Sequence, residues 1–397
     1  MFPSVIRVYY ALLITFIFST AHGLDRKITS LLNPGCNDCP MNTTTLVYVR
    51  ADGDSDTIHQ IWDFTRHLPT MVMSVGSLNS TLNIKWEGME PKYFSWSEQP
   101  RYSFATVMDK LIEYDDLNDN GYISPKYPQK EYSCKRISWA LKESILTEQE
   151  AMIHVVGTLH TDRYERDGFV HMKLDLLPFR DYAIELPHLI HTANSTLVDL
   201  SLVNLTISKE YNASRFALHF VLVSTDDASD TMHYTMRKSL DDEHTPGVFE
   251  IIEIKTPSLF NDEEGGYLQF RPVGYTDKER NVASSTMAHV SDFNRTRLPQ
   301  RSTIELYFKD SPKVLVQDMF MSFGETSDGF YKQHNYTAWS YTIGYGVPPV
   351  EGFSLFVILI ISIGLGVPIS LALSGIVYVL ARRYSRSRTR TRLTNED

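Results

Sequence analysis

Seven asparagines, Asn42, Asn79, Asn194, Asn204, Asn212, Asn294 and Asn335, each open an Asn-x-Ser/Thr triplet with no proline between. That triplet is the acceptor for N-linked sugar in the secretory pathway, where the carboxamide nitrogen takes the glycan. With 15 asparagines and this Ser/Thr content, roughly 2.6 triplets would fall by chance, so seven point to a chain built to carry sugar. Bulky hydrated glycans would shield the surface from proteases and keep an acidic protein in solution.

Three other patterns could do chemistry. Asp116-Leu-Asn118-Asp-Asn120-Gly121-Tyr-Ile123-Ser124 follows an EF-hand calcium loop through its ninth position. The match then fails, because position 12 is Tyr127 instead of a bidentate Glu and Pro125 stands where the exit helix should start. A weak calcium loop or a plain Asx-rich turn are the two readings that remain. Cys36-Asn-Asp-Cys39 has redox spacing but is flanked by Pro34 and Pro40 without a strand-to-helix context. One of that pair is expected to bond Cys134, the other staying free or closing a small loop; spacing leaves the connectivity open. Pro187-His188-Leu-Ile-His191 offers two imidazoles, yet no further ligand sits at metal-site spacing. No nucleophile elbow, His-Glu-x-x-His, P-loop or dinucleotide fingerprint is present, so the chain advertises neither an enzyme nor a cofactor.

The elements that must hold these residues begin at the two apolar ends. Met1 to Gly23 has one early cation (Arg7), an apolar run from Val8 to Phe18 and small residues at Ala21 and Gly23, a signal-peptide pattern with cleavage expected after Gly23. Gly352 to Ala381 is an uncharged apolar run longer than the roughly 20 residues a bilayer requires. Arg382, Arg383, Arg386, Arg388, Arg390 and Arg392 follow at once and place that end in the cytoplasm, so everything before Gly352 is expected to face a lumen. Arg7 and the tail together carry +5 of a chain at −10, which leaves −15 on the luminal part and makes nucleic acid an unsuitable partner.

The luminal region reads as mainly β. Strands are expected over Thr45 to Val49, Met71 to Val75, Thr81 to Trp86, Phe169 to Leu174, Thr196 to Leu202, Phe216 to Ser224, Val248 to Ile254 and Thr303 to Phe308. Tyr102 to Tyr114 is expected to be helical, with Phe104, Met108, Leu111 and Ile112 near one face. The expected architecture is two packed β-sandwich-like luminal domains plus one C-terminal transmembrane α-helix. Its divisions are a signal peptide at 1–23, luminal β domains at 24–185 and 186–351, the membrane helix at 352–381 and a cytoplasmic tail at 382–397.

Within the membrane run, Ser362, Gly366, Ser370 and Ser374 recur every four residues and would form one stripe of small side chains, the kind of face on which helices approach closely in lipid. Pro368 inside the run would kink the helix or fit it to a curved partner. The stripe is expected to dock on another transmembrane protein.

Three stretches carry a family resemblance: Ser239-Leu-Asp-Asp-Glu-His-Thr-Pro-Gly-Val-Phe249, Gln269-Phe-Arg-Pro-Val-Gly-Tyr275, and Gln333-His334 through Trp339-Ser340 to Gly346-Val-Pro-Pro-Val-Glu-Gly352. With His191-Thr-Ala-Asn194, Phe104 to Asp115 and the overall topology, the chain resembles the glycosylated lysosomal membrane protein family. The resemblance implies a single-pass type I protein of the lysosomal membrane with no substrate of its own. It further implies an accessory subunit that stabilises a major facilitator superfamily transporter of dipeptides and protects it from lysosomal proteolysis. The family's tyrosine-based sorting motif survives only as Tyr384-Ser385, with Ser387 where a bulky apolar residue would follow, and the luminal cysteines differ from the vertebrate pattern. Arg-x-Arg repeats from Arg386 to Arg392 resemble retrieval signals that assembly can mask. The competing reading is a cell-surface adhesion or receptor-like glycoprotein that uses the Asp116 loop for calcium.

Overall fold

The computed structural model describes residues 26–40, 42–160, 167–180, 182–183, 186–239, 249–262, 264–271, 274–281, 283–311, 313–349 and 355–393. The expected signal peptide, most of Ser239–Phe249 and the first residues of the expected membrane run lie outside them. So do residues 272–273 of the Gln269–Tyr275 stretch, the side chains of Pro187 and His188, and the last four tail residues.

In chain order the strands are β1 (Lys27–Leu32), β2 (Leu46–Asp52), β3 (Thr57–Asp63), β4 (Thr70–Gly76), β5 (Leu82–Glu87), β6 (Glu90–Trp96), β7 (Tyr102–Asp115), β8 (Gln129–Ser133), β9 (Ile137–Leu146), β10 (Ala151–Leu159), β11 (Phe169–Leu176) and β12 (Tyr182–Ala183). They continue as β13 (Leu186–Ile190), β14 (Ser195–Val203), β15 (Ser214–Ser224), β16 (His233–Ser239), β17 (Phe249–Lys255), β18 (Gly266–Phe270), β19 (Gly274–Tyr275), β20 (Ser285–Thr286), β21 (Ala288–Val290), β22 (Asn294–Arg295), β23 (Leu315–Phe323) and β24 (Tyr336–Tyr345). Among the described residues they form two ten-stranded sheets and two separate strand pairs, β5-β6 and β12-β13. The first runs β1-β2-β3-β4-β7-β15-β23-β21, with β8 on β7 and β22 on β23. The second runs β16-β17-β18-β24-β14-β11-β10-β9, with β19 joining it through β24 and β20 pairing β19.

The mainly β class and the apolar C-terminal helix are as expected. The cut near residue 185 does not coincide with the sheets, because each draws strands from both sides of it and residues 22–350 form one compact unit. The register explains this. β7 pairs with β15 from Phe104 opposite Ser224 to Asp115 opposite Ser214, about a hundred residues later in the chain, with one register shift at Asp109.

Two local expectations are corrected. Tyr102–Asp115 is a strand buried on both faces along most of its length, so its apolar residues satisfy helical and extended spacing equally. Thr303–Tyr307 is a short helix, started by Ser302, whose side chain accepts from the Glu305 amide at 3.2 Å. Ser302-x-x-Glu305 is a helix-start pattern that outweighs the β propensity of Thr303 and Ile304. The cysteine expectation is also corrected: Cys36 and Cys39 bond each other, and Cys134 is free and buried, where the apolar surroundings push its thiol pKa up.

The sheets share one core. Alternating burial along β23 turns Leu315, Met319 and Met321 inward. Between the layers Phe323 stacks on Trp339 at 4.8 Å and Phe220 meets Tyr341 edge-on at 5.9 Å. At the rim Gly266 lets β18 close on β7, since a Cβ there would lie 2.2 Å from the Phe104 ring.

Phe220 is 1 % exposed at the centre of this core. Phe220→Ala should cost about 3–5 kcal/mol, through lost transfer energy and an unfilled cavity. Denaturant unfolding of the purified protein measures this; a loss below about 1 kcal/mol would mean the two sheets do not share a core.

Candidate functional site

The sugar acceptors come first. Asn42, Asn79, Asn204, Asn212, Asn294 and Asn335 are exposed at strand ends and in loops, where a glycan meets no steric barrier. Asn204 and Asn335 adopt the left-handed conformation at the facing ends of β14 and β24, and the Asn204 amide donates to the Asn335 carbonyl at 2.8 Å. Lys332 Nζ reaches the Asn212 carbonyl, so three acceptors gather at one end of the luminal unit. Asn194 differs: it is half-buried, and its Oδ1 accepts from Arg26 Nε at 2.5 Å.

The Asp116 loop is occupied from within. Asp116 is fully buried, and its Oδ2 accepts from the Asn120 and Gly121 amides at 3.0 and 2.8 Å and from Arg215 Nε at 2.8 Å. Arg215 also donates to Asp119 Oδ1 at 2.6 Å, pairs with Asp328 at 2.7 Å, donates to the Gly329 carbonyl at 2.9 Å and lies over the Phe330 ring. Burial opposes its charge, but the bonded carboxylates of Asp328 and Asp119 and their fields outweigh that and raise its pKa. Both asparagines of the expected calcium loop make other bonds, Asn120 through its side-chain oxygen and Asn118 through its nitrogen. Asn118 Nδ2 donates to the Tyr127 hydroxyl, and Asn120 Oδ1 accepts from the Tyr122 amide at 3.1 Å. A guanidinium thus sits where a calcium ion would have to. Gly121 makes the closure feasible, because a Cβ there would fall 2.1 Å from the Gly324 carbonyl oxygen.

Sequence reading missed Arg215 because its partners are about a hundred residues away on either side. Two further clusters were hidden for the same reason. His219 on β15 lies between Asp109 on β7, at 3.4 Å from Nδ1, and Asp318 on β23, at 3.3 Å from Nε2. The hydrogen bond from His219 holds the Asp109 carboxyl below its ordinary pKa, against the opposing effect of burial. Arg280 forks onto both oxygens of Asp199 at 2.5 and 2.9 Å and donates to the Tyr336 hydroxyl at 2.8 Å. In the first sheet His59 is 1 % exposed beside Trp96 and shares a 2.7 Å hydrogen bond with Tyr48; burial, then the Arg50 charge, brings its pKa down to about 4. Among the described residues no three His, Cys, Asp or Glu side chains are disposed to hold a metal. His191 is buried, with its ring 3.4 Å from the Thr192 carbonyl.

The helix Leu355–Leu393 contains the span Leu359–Tyr384, long and apolar enough to cross a bilayer. Along the small stripe, Ser370 Oγ donates to the Gly366 carbonyl at 2.7 Å and Ser374 Oγ to the Leu371 carbonyl at 2.8 Å. The hydroxyls are satisfied within their own helix and leave a smooth face. Beyond its own helix backbone, a Cβ on Gly366 would meet nothing within 4 Å, as is also true of Gly364 and Gly375. Tyr384 lies on the same helix, exposed.

Comparison with known proteins agrees with this layout. A family model described as "Glycosylated lysosomal membrane protein" matches residues 45–386. The chain is 27 % identical to glycosylated lysosomal membrane protein B of Xenopus laevis over 380 residues, covering 90 % of this chain and 91 % of the relative. Against the Danio rerio protein of the family name it is 27 % identical over 406 residues, covering 95 % and 96 %, and against the Homo sapiens one 26 % over 356 residues, covering 86 % and 85 %.

Removing the cation should expose three carboxylates at once. Arg215→Met is expected to destabilise by about 3–5 kcal/mol, the cost of stranding buried charges. Wild-type melting should be the same in millimolar calcium and in chelator; a calcium-dependent rise would mean the loop still takes the ion. The histidine and carboxylate act in different acid windows. His59 is harder to protonate folded than unfolded, so stability should fall as pH drops from about 6.5 to about 4, and His59→Gln should flatten that slope. The depressed Asp109 gives stability that is present above its unfolded pKa of about 3.9 and is lost as pH falls through its folded value. Melts at stepped pH resolve the two.

Proposed function

The chain belongs to the glycosylated lysosomal membrane protein family, and we propose that it acts there as a non-catalytic accessory subunit of a multi-span transporter of the major facilitator superfamily. It is a lysosomal membrane glycoprotein with one C-terminal membrane helix. On this reading the helix binds the transporter within the bilayer, and the glycosylated luminal unit keeps the pair from lysosomal proteases.

The observation that carries the proposal is the helix face of Ser362, Gly366, Ser370 and Ser374. Its two bonded hydroxyls are satisfied at home, and a Cβ on its glycine would meet nothing beyond its own helix backbone within 4 Å. In lipid, where apolar burial gives no drive to association, such a face gains by close van der Waals approach to a second helix. The acceptors at Asn42, Asn79, Asn204, Asn212, Asn294 and Asn335 support the shielding role, since they spread over the exposed strand ends and loops. Asn194 is proposed as a seventh site, with its carboxamide oxygen held by Arg26. Dipeptides are the expected cargo of the transporter and rest on the family resemblance. Tyr384 is exposed for recognition by sorting machinery. The adhesion reading loses its calcium site to Arg215.

Mild-detergent purification from native membranes should recover a major facilitator transporter with the wild-type chain. Gly366→Leu/Ser370→Leu should abolish that recovery while leaving expression and luminal melting unchanged. Equal recovery with the double variant would remove the helix face from the proposal; recovery of no transporter by the wild type would remove the accessory role.

A further inference from the structure

The helix Leu355–Leu393 outlasts its apolar span. The span ends at Tyr384, and the same helix runs on through the arginine run to Leu393. At ~1.5 Å per residue the extension is about 13 Å long. The arginine excess keeps this end in the cytoplasm.

From Arg382 to Arg392 every residue except Tyr384 is an arginine or carries an aliphatic hydroxyl. From Ser385 onward the two kinds alternate strictly, with Ser385, Ser387, Thr389 and Thr391 set between Arg386, Arg388, Arg390 and Arg392. Orienting a membrane helix requires the positive charge and makes no use of the hydroxyls. Helix formation does not account for them either, because Ser and Thr are poorer helix formers than Ala, Lys or Gln. Each hydroxyl has arginine on its N-terminal side. Ser385 follows Arg382 and Arg383, Ser387 follows Arg383 and Arg386, Thr389 follows Arg386 and Arg388, and Thr391 follows Arg388 and Arg390. That is the charge pattern by which the acidic substrate groove of an arginine-directed protein kinase selects its acceptors.

Charge decides what a phosphate would do here. The residues after Ala381 hold six arginines against Glu396 and Asp397, a side-chain charge of +4. A basic run beside a membrane helix is drawn to anionic headgroups, and the attraction reaches about one Debye length, ~8 Å. Arg386 and Arg388 stand about 3 and 6 Å past Tyr384 along the helix axis, inside that reach. Each phosphate brings about −1.5 to −2, so two cancel the charge of the tail and four turn it to about −2 to −4. At Thr391, in the last turn, a phosphate would also oppose the helix dipole, whose carbonyl end favours cations.

We propose that Ser385, Ser387, Thr389 and Thr391 are acceptors for an arginine-directed protein kinase, and that their phosphorylation lifts the tail from the anionic cytoplasmic leaflet. In each transfer the hydroxyl oxygen bonds to the γ-phosphorus of a nucleoside triphosphate while the bond from that phosphorus to the diphosphate oxygen breaks. The nucleoside diphosphate leaves, and the hydroxyl proton passes to the base of the kinase. Unmodified, the arginines are held by lipid. Modified, they have phosphates at helical spacing to pair with, Arg382 and Arg388 standing three residues to either side of Ser385. The switch is confined to the tail and is independent of any transporter.

Mass spectrometry of the C-terminal fragment, from chain purified out of native membranes with phosphatase inhibitors, should find phosphate on at least one of the four residues. A fragment recovered with all four unmodified would overturn the proposal. The position of the tail is read on the full chain in nanodiscs. Cys36 and Cys39 are bridged and Cys134 is buried, so Asn395→Cys supplies the thiol that labels. Its fluorophore should be quenched by headgroup-spin-labelled phosphatidylcholine when the discs contain phosphatidylserine, and less so in discs of phosphatidylcholine alone. Ser385→Glu/Ser387→Glu/Thr389→Glu/Thr391→Glu, whose four carboxylates cancel the +4 of the tail, should lose the quenching that phosphatidylserine adds, while the matching Ala variant keeps it. Equal quenching of the Glu and Ala variants in phosphatidylserine discs, or of the wild type with and without phosphatidylserine, would overturn the release from lipid.

Discussion

The pairing of β7 with β15 is the contact on which the other clusters hang. Eleven register partners join a strand from the first third of the chain to one from its middle, and β4 and β23 then extend the sheet on either side. The register slips once, between His219 and Phe220. Asp109 falls in that slip and lies beside His219, while Asp318 approaches the same ring from β23. At the far end the register sets Arg215 opposite Tyr114, next to the point where the chain leaves β7 and turns through Asp116 to Gly121. A one-residue shift would turn Arg215 into the apolar core and leave Asp116 without its cation, so the register is strongly specified.

Buried polar groups along this axis find partners distant in sequence. Glu113, fully buried on β7, accepts from the Ser208 amide at 2.6 Å, the Ser214 hydroxyl at 2.9 Å and the Tyr132 hydroxyl at 3.0 Å. Gln317 accepts from the Met232 amide at 2.7 Å. Such bonds add modest net stability each, but leaving any of them unmade costs more than the bond gives. The first sheet is therefore held by non-local polar contacts as well as by the apolar core it shares with the second.

Sugar acceptors are found at both ends of the long strands of the second sheet. Three acceptors share the end at Asn204, Asn212 and Asn335, and Asn194 lies at the other, beside the last residue of β24. The paired strands β14 and β24 run between the two ends.

The residues alone determined what depends on local composition. The seven acceptor triplets, the apolar span with its arginine tail, the acidic lumen, the family motifs and most strand positions are properties of short segments. Helix or strand for Tyr102–Asp115 was not, because a strand buried on both faces erases the period-two signal that would have identified it. The Thr303 helix was legible in Ser302-x-x-Glu305, although β-branched residues hid it. Tertiary structure decided the rest: which cysteine bonds which, the merging of the two halves into shared sheets, and the nature of the Asp116 loop. Its spacing is that of a cation site, and only the fold, by bringing Arg215 from about a hundred residues away, shows that the cation is part of the protein. Long-range pairing of this kind leaves no trace in local spacing, because its partners are chosen by strand order.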